Sequence, residues 1–240
     1  MKRFITVLVL SLSFVRAMAQ EDPQMKLTAS GETVKSFTFN YLLYQPEDYG
    51  VDGNIQWPLL VFLHGSGERG DNPEKVKVHG PPMLISMGKQ FPFFVLSPQC
   101  PEGQDWDVEA LHALIGQVVS SYGIDERRVY VTGLSMGGGG TWDLAFAHPD
   151  YYAAIAPVCG PVNRNHRERA GTLKDMAIWA FHGAMDNVVP LAPAAILVNE
   201  LHQAGNQAEF TIYPDANHNS WTRTYNNPLL YEWLLKQKRR

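Results

Sequence analysis

Val129-Tyr130-Val131-Thr132-Gly133-Leu134-Ser135-Met136-Gly137 is the stretch that decides the fold. Its first four residues, apolar and β-branched, read as a strand. G-x-S-x-G follows at once, and a helix opens near Met136. A turn that passes from strand to helix in so few residues is sharp and strained. Side chains two before and two after the serine would strike neighbouring backbone, hence Gly133 and Gly137. The turn lifts the Ser135 hydroxyl above the end of a sheet, at the N-terminus of the next helix. Ser135 is therefore the candidate nucleophile.

Working outward, the strand has company. Pro58-Leu59-Leu60-Val61-Phe62-Leu63 is a continuous apolar run into His64-Gly65. Such runs suit strands buried on both faces of a parallel sheet. The form recurs at Phe93–Leu96, Ala153–Val158 and Ala177–Phe181, and more weakly at Phe210–Tyr213. Phe37, Phe39, Tyr41 and Leu43 alternate with Thr38, Asn40 and Leu42, a period-two strand. Between them lie helical patterns: Leu111 to Val119, residues 136–148 before Pro149, Ile196 to Leu201 before Gly205, and Leu229 to Leu235. Strands alternating with helices predict α/β architecture, a mostly parallel sheet with helices on both faces. No linker divides residues 37–240, so these are read as one domain, with residues 20–36 a loosely held polar lead-in.

A sheet of this kind gathers its chemistry where strands end and loops begin. A serine hydroxyl needs a base. His218 is the only histidine after the last strand and sits in Ala216-Asn217-His218-Asn219-Ser220-Trp221. A carboxylate should orient its ring, and Asp186 follows the strand ending at Phe181. Asp175 precedes that strand and would lie at the wrong end of the sheet. Asp215, three residues before the histidine, suits a capping or turn role. The predicted oxyanion donors are the N–H of Met136, next to the serine, and that of Ser66 in His64-Gly65-Ser66-Gly67-Glu68-Arg69-Gly70.

Gly65, Gly67 and Gly70 also spell the dinucleotide fingerprint, but the residues after them offer no apolar helix. The next strand ends in Ser97-Pro98-Gln99, without an acid to hold a ribose. Nucleotide binding is therefore not expected. Nor is a metal: the eight histidines form neither H-E-x-x-H nor a paired Cys/His spacing. His182 reads as a hydrogen-bonding structural residue.

The 240 residues are 45% hydrophobic and 18% charged, enough to bury a core and too apolar for disorder. No Lys/Arg-rich run precedes the last five residues, which argues against nucleic-acid binding. Lys2 and Arg3, the apolar run from Phe4 to Val15 and Ala17-Met18-Ala19 form a secretory signal peptide over residues 1–19. The run is shorter than the roughly 20 apolar residues a spanning helix needs. Cleavage would leave 17 basic and 24 acidic residues, and the mature chain is expected to be soluble, exported and free of the membrane. In an oxidising compartment Cys100 and Cys159 either pair or stay as two buried thiols.

Several segments are more specific than the triad pattern: Phe62 to Gly70, Ser97-Pro98-Gln99-Cys100-Pro101, and His218 to Trp221 followed by Tyr225. They resemble exported bacterial α/β-hydrolases related to feruloyl esterases and polyhydroxybutyrate depolymerases, some of them labelled predicted peptidases. The order Ser135, Asp186, His218 is also that of the α/β-hydrolase triad. The resemblance implies a serine carboxylesterase acting on small-molecule or polysaccharide-linked esters, acetyl or feruloyl groups among them. It implies no cofactor, and it places Trp106 and Trp221 near the site mouth as substrate-binding residues. A secreted serine peptidase of the same fold and a non-catalytic carbohydrate-binding domain are the alternatives. Cys159 to Met176, only 18 residues and polar, has room for one short helix and not for an apolar lid. That argues against an interfacially activated lipase.

Overall fold

The structure is a computed structural model that describes residues 22–32 and 36–239; the signal peptide expected over residues 1–19 lies outside them. Eight strands form one sheet: β1 (Gln24–Glu32), β2 (Ser36–Tyr44), β3 (Trp57–Leu63), β4 (Phe94–Pro98), β5 (Ile124–Leu134), β6 (Ala154–Val158), β7 (Ala177–Gly183) and β8 (Glu209–Tyr213). Their order is β1-β2-β4-β3-β5-β6-β7-β8. β1 and β2 run antiparallel at one edge, and β4 through β8 pair parallel. Seven helices accompany them: α1 (Gly80–Ser86), α2 (Val108–Ser121), α3 (Met136–Ala147), α4 (Arg164–Glu168), α5 (Leu191–Gln203), α6 (Trp221–Tyr225) and α7 (Pro228–Lys236).

Continuous apolar runs become central strands because both faces are covered. Leu59, Val61 and Leu63 of β3 join the core formed with α2, α3 and α5, through Leu114, Trp142 and Leu197. Leu60 and Phe62, pointing the other way, join the core of α1 and α7, through Ile85, Leu230 and Leu234. Burying one such side chain contributes about 1.5–3 kcal/mol, so neither face can be left open. This is the expected α/β architecture.

Three local expectations change. Residues 24–32 are an edge strand paired along β2, not a loose lead-in. Met25, Leu27 and Ala29 alternate with Lys26, Thr28 and Ser30, and buried Gln24 donates from Nε2 to the Pro82 carbonyl at 3.0 Å. Pro81-Pro82 does not exclude a helix; it opens α1, where a proline's missing N–H costs nothing. Ile196 is 40% exposed, and Ala194, Leu197, Val198 and Leu201 carry the buried stripe of α5. Among the described residues no helix is long and apolar enough to cross a membrane.

Strand register sets the active rim. Leu63 is level with Gly133, Leu134 with Val158, Val158 with Phe181, and Gly183 with Tyr213. The loops after β3, β5, β7 and β8 therefore leave the sheet along one edge. Gly133 and Gly137 allow a close approach: a Cβ on Gly133 would strike the Gly137 carbonyl, and one on Gly137 the Leu63 backbone. Gly137→Ala is expected to destabilise the fold by about 3 kcal/mol or more. Gly171→Ala, which faces open space, should stay within about 1 kcal/mol. Denaturant unfolding of both variants checks the contrast.

Candidate active site

Ser135 links β5 to α3 with φ 52° and ψ −118°, a left-handed conformation costing a non-glycine residue about 1–3 kcal/mol. The surroundings hold it there. Its N–H donates to the Val158 carbonyl at 3.0 Å, and its carbonyl accepts from Gly139 N–H at 3.0 Å, starting the helix.

The loops after β7 and β8 meet this hydroxyl. His218 Nε2 lies 2.9 Å from Ser135 Oγ, and Nδ1 lies 2.8 Å from Asp186 Oδ2. A carboxylate only accepts, so Nδ1 carries the ring proton and Nε2 is free to accept the serine's. The Asp186 side chain is fully buried, with His218 17% exposed. Asp186 Oδ1 also accepts from the N–H groups of Val188 and Val189, both at 2.9 Å. Burial pushes this carboxyl up, but the His218 hydrogen bond and the two N–H groups outweigh it and hold it below its ordinary value.

His182 is the second imidazole on this carboxylate. Its Nε2 donates to the Val189 carbonyl at 2.9 Å and lies 3.3 Å from Asp186 Oδ2, so it braces the loop after β7. The rival acids lie elsewhere. Asp175 precedes β7, at the opposite end of the strand. Asp215 is exposed and holds Arg223 through two hydrogen bonds of 2.8 and 2.9 Å.

Ser66 and Met136 are the first residues of a 3-10 turn (Ser66–Glu68) and of α3, so neither N–H has an acceptor within its own helix. A Cβ on Gly65 would lie 3.7 Å from the Ser135 Cβ, which brings the Ser66 loop against Ser135. Buried His64 pins that loop. Its Nδ1–H donates to the Gly65 carbonyl at 2.6 Å, and its Nε2 accepts from Cys100 N–H at 2.9 Å. Only the neutral ring makes both bonds. Burial, with the nearby Arg69 charge, lowers its pKa to about 4 against the pull of the Gly65 hydrogen bond.

The two tryptophans take different places. Trp106 is buried, donates to the His64 carbonyl at 3.4 Å, and lines a cleft together with Met136. Trp221 stands on the other side, its ring edge-on to His218 at 5.3 Å and tilted against His79 at 5.3 Å.

Both cysteines are free, buried thiols. Cys159, with φ 40°, lies behind the triad, and its sulfur falls within 4.8 Å of ligand atoms of Asp186 and His218. Among the described residues this is the one cluster with metal-ligand spacing, and two of its three members already bond each other. Burial pushes the Cys159 thiol up to about 12, so it stands there as a neutral group. This neighbourhood was missed in the sequence, where the only signal was that Cys159 ends the strand beside β5.

Residues 82–227 match the family model described as phospholipase/carboxylesterase. A bifunctional acetylxylan esterase/xylanase of Neocallimastix patriciarum is 30% identical over 55% of this chain and 20% of its own. A probable feruloyl esterase C of Aspergillus niger is 26% identical over 77% of this chain and 68% of its own. Among solved structures, a thermostable esterase superposes with TM-score 0.76 at 32% identity, over 91% of this chain and 64% of that one. The chain thus spans a fifth to about two-thirds of the length of these relatives.

His64 also makes stability depend on pH. Its folded-state pKa of about 4 lies below the ordinary 6.5, so between these values the unfolded chain binds a proton that the native one refuses. Stability should fall as pH drops from 6.5 toward 4, by on the order of 3 kcal/mol from this group. Urea unfolding at pH 7 and pH 5 measures it, and His64→Gln should flatten the slope.

Proposed function

Because the chain belongs to the phospholipase/carboxylesterase family of α/β-hydrolases, we propose that it is an exported serine carboxylesterase working through Ser135, His218 and Asp186. The observation that carries the reading is the unbroken relay from Ser135 Oγ to His218 Nε2 at 2.9 Å and from Nδ1 to Asp186 at 2.8 Å.

The reaction proceeds through an acyl-enzyme. His218 Nε2 takes the Ser135 proton as Oγ bonds to the ester carbonyl carbon. The carbonyl electron pair moves onto oxygen, which the N–H groups of Met136 and Ser66 receive. The tetrahedral intermediate then collapses: the carbon–alkoxy bond breaks, and Nε2–H protonates the departing alcohol. Water gives its proton to the same nitrogen, attacks the acyl carbon, and releases the acid and the serine. Asp186 holds the tautomer throughout and stabilises the imidazolium. No cofactor enters this scheme. The substrates favoured are small-molecule or polysaccharide-linked esters, in keeping with the acetylxylan and feruloyl esterase relatives.

Ser135→Ala should fold normally and lose turnover of p-nitrophenyl acetate by on the order of 10⁶-fold. It should also stop reacting with a fluorophosphonate probe. Asp186→Asn should lose about 10⁴-fold. Near-parental activity in Ser135→Ala would overturn the assignment. Faster cleavage of a peptide anilide than of methyl ferulate or p-nitrophenyl acetate would favour a peptidase. For export, N-terminal sequencing of the protein recovered from periplasm or medium should begin at Gln20; recovery of the intact N-terminus would refute it.

A further inference from the structure

A cleft of about 320 Å³ adjoins Met136, the residue after Ser135, and is lined by Trp106, Pro161 and Val162 together with the polar Asp105, Asp143 and Asn163. Its depth comes from bare backbone at the start of α3. A Cβ on Gly139 would meet Pro161 at 2.9 Å, and one on Gly140 would meet Trp106 at 2.9 Å. Both rings therefore rest directly on the helix.

The cleft and His218 lie on opposite sides of Ser135. Trp106, Met136 and Val162 pack with the core of α2, α3 and α5. Trp221, which flanks His218, packs with the core of α1 and α7. The tetrahedral carbon formed on Oγ carries three further substituents. Its oxyanion faces the N–H groups of Met136 and Ser66. Its leaving oxygen must face His218 Nε2, which protonates it. The acyl carbon takes the remaining direction, away from His218, on the side where Met136 and Trp106 line the cleft.

Resting on the esterase reading above, we infer that this cleft is the acyl subsite and that the Trp221 side receives the alcohol. The acyl group it fits is uncharged and larger than acetyl. Charge sets the first condition: none of the residues lining the cleft is Lys or Arg. Its two carboxylates are already engaged, Asp105 by Arg69 and Asp143 by His166 Nε2 at 3.0 Å. An acyl chain ending in a carboxylate would meet two carboxylates and no uncommitted cation among the lining residues. Size sets the second: about 320 Å³ is far more than an acetyl group fills.

The assignment has a kinetic signature. The alcohol departs after the first half-reaction, whereas the acyl group stays through deacylation. A change in the cleft therefore alters both half-reactions, and a change on the alcohol side alters only the first.

The test uses Val162→Trp, which fills the cleft, and Val162→Ala, which widens it. Two ester series are compared: p-nitrophenyl acetate to octanoate, and acetates of progressively larger alcohols. Val162→Trp should lower kcat/KM for the octanoate by about tenfold or more relative to the acetate and slow octanoyl-enzyme hydrolysis, with a loss that grows along the acyl series and does not depend on the size of the alcohol. Val162→Ala should shift preference toward longer acyl chains, and it carries the test alone if the tryptophan variant fails to fold. Losses that follow alcohol size would place the alcohol in the cleft and overturn the inference. So would two variants unchanged in both series. If the parent hydrolyses neither series and takes up no fluorophosphonate, the esterase reading itself falls, and the inference with it.

Discussion

The carbonyl of Leu63 occupies the space where a side chain on Gly137 would begin. Everything at the rim depends on that contact. It brings the end of β3 against the first turn of α3, so the Ser66 loop and the Ser135 turn become neighbours. The same closeness leaves Ser135 little conformational choice. Its left-handed backbone is held by the Val158 carbonyl below and by α3 ahead, and the hydroxyl points out of the sheet. A cost of about 1–3 kcal/mol at one residue is tolerable only because two cores, one on each face of the sheet, fix the strands around it.

The buried carboxylate is the second constraint. Asp186 has no exposed side-chain surface, and a lone charge there would favour protonation. Two backbone N–H groups and His218 reverse that preference. The partition between the two histidines beside it follows from their other contacts. His182 gives its Nε2 proton to the Val189 carbonyl, and its ring is wholly buried. His218 keeps Nε2 turned toward Ser135 and is partly open to solvent. One histidine braces the loop, and the other is placed to move a proton.

How much of this was legible in the sequence depended on the range of the interactions. Gly133 to Gly137 could be read because strand, turn and helix are local and the glycines have a steric cause. Asp186 and His218 could be read because parallel topology sends successive strand ends to one rim. β1 escaped because Met25, Leu27 and Ala29 make a weak alternation, and its register comes from pairing with β2. Cys159 escaped because nothing near it in the chain reports that β6 ends behind the triad. For Trp106 and Trp221 only the family resemblance pointed to the site, and their division between its two sides escaped because it reflects which helix layer each ring packs against. His64 looked like part of a glycine-rich loop; its role as a neutral clamp on that loop emerges only with Cys100 N–H in place.

The short connection between β6 and β7 ties these constraints together. It forms α4 and one 3-10 turn rather than a cap, yet it still shapes the site. Pro161 and Val162 enter the cleft from the side, and buried His166 anchors the segment to Asp143 on α3. A site walled from the side stays open above, so His218 remains solvent-accessible before substrate arrives. Hydrogen bonds to a developing oxyanion weaken as the local dielectric rises. On the esterase reading, with only α4 and one 3-10 turn between β6 and β7, the acyl group itself must expel that water. An acyl group that fills the cleft between Trp106 and Val162 would dry the Met136 donor, while acetyl would leave it wet. On that reading acyl recognition and transition-state stabilisation are one physical event, centred on Met136, which both lines the cleft and follows Ser135.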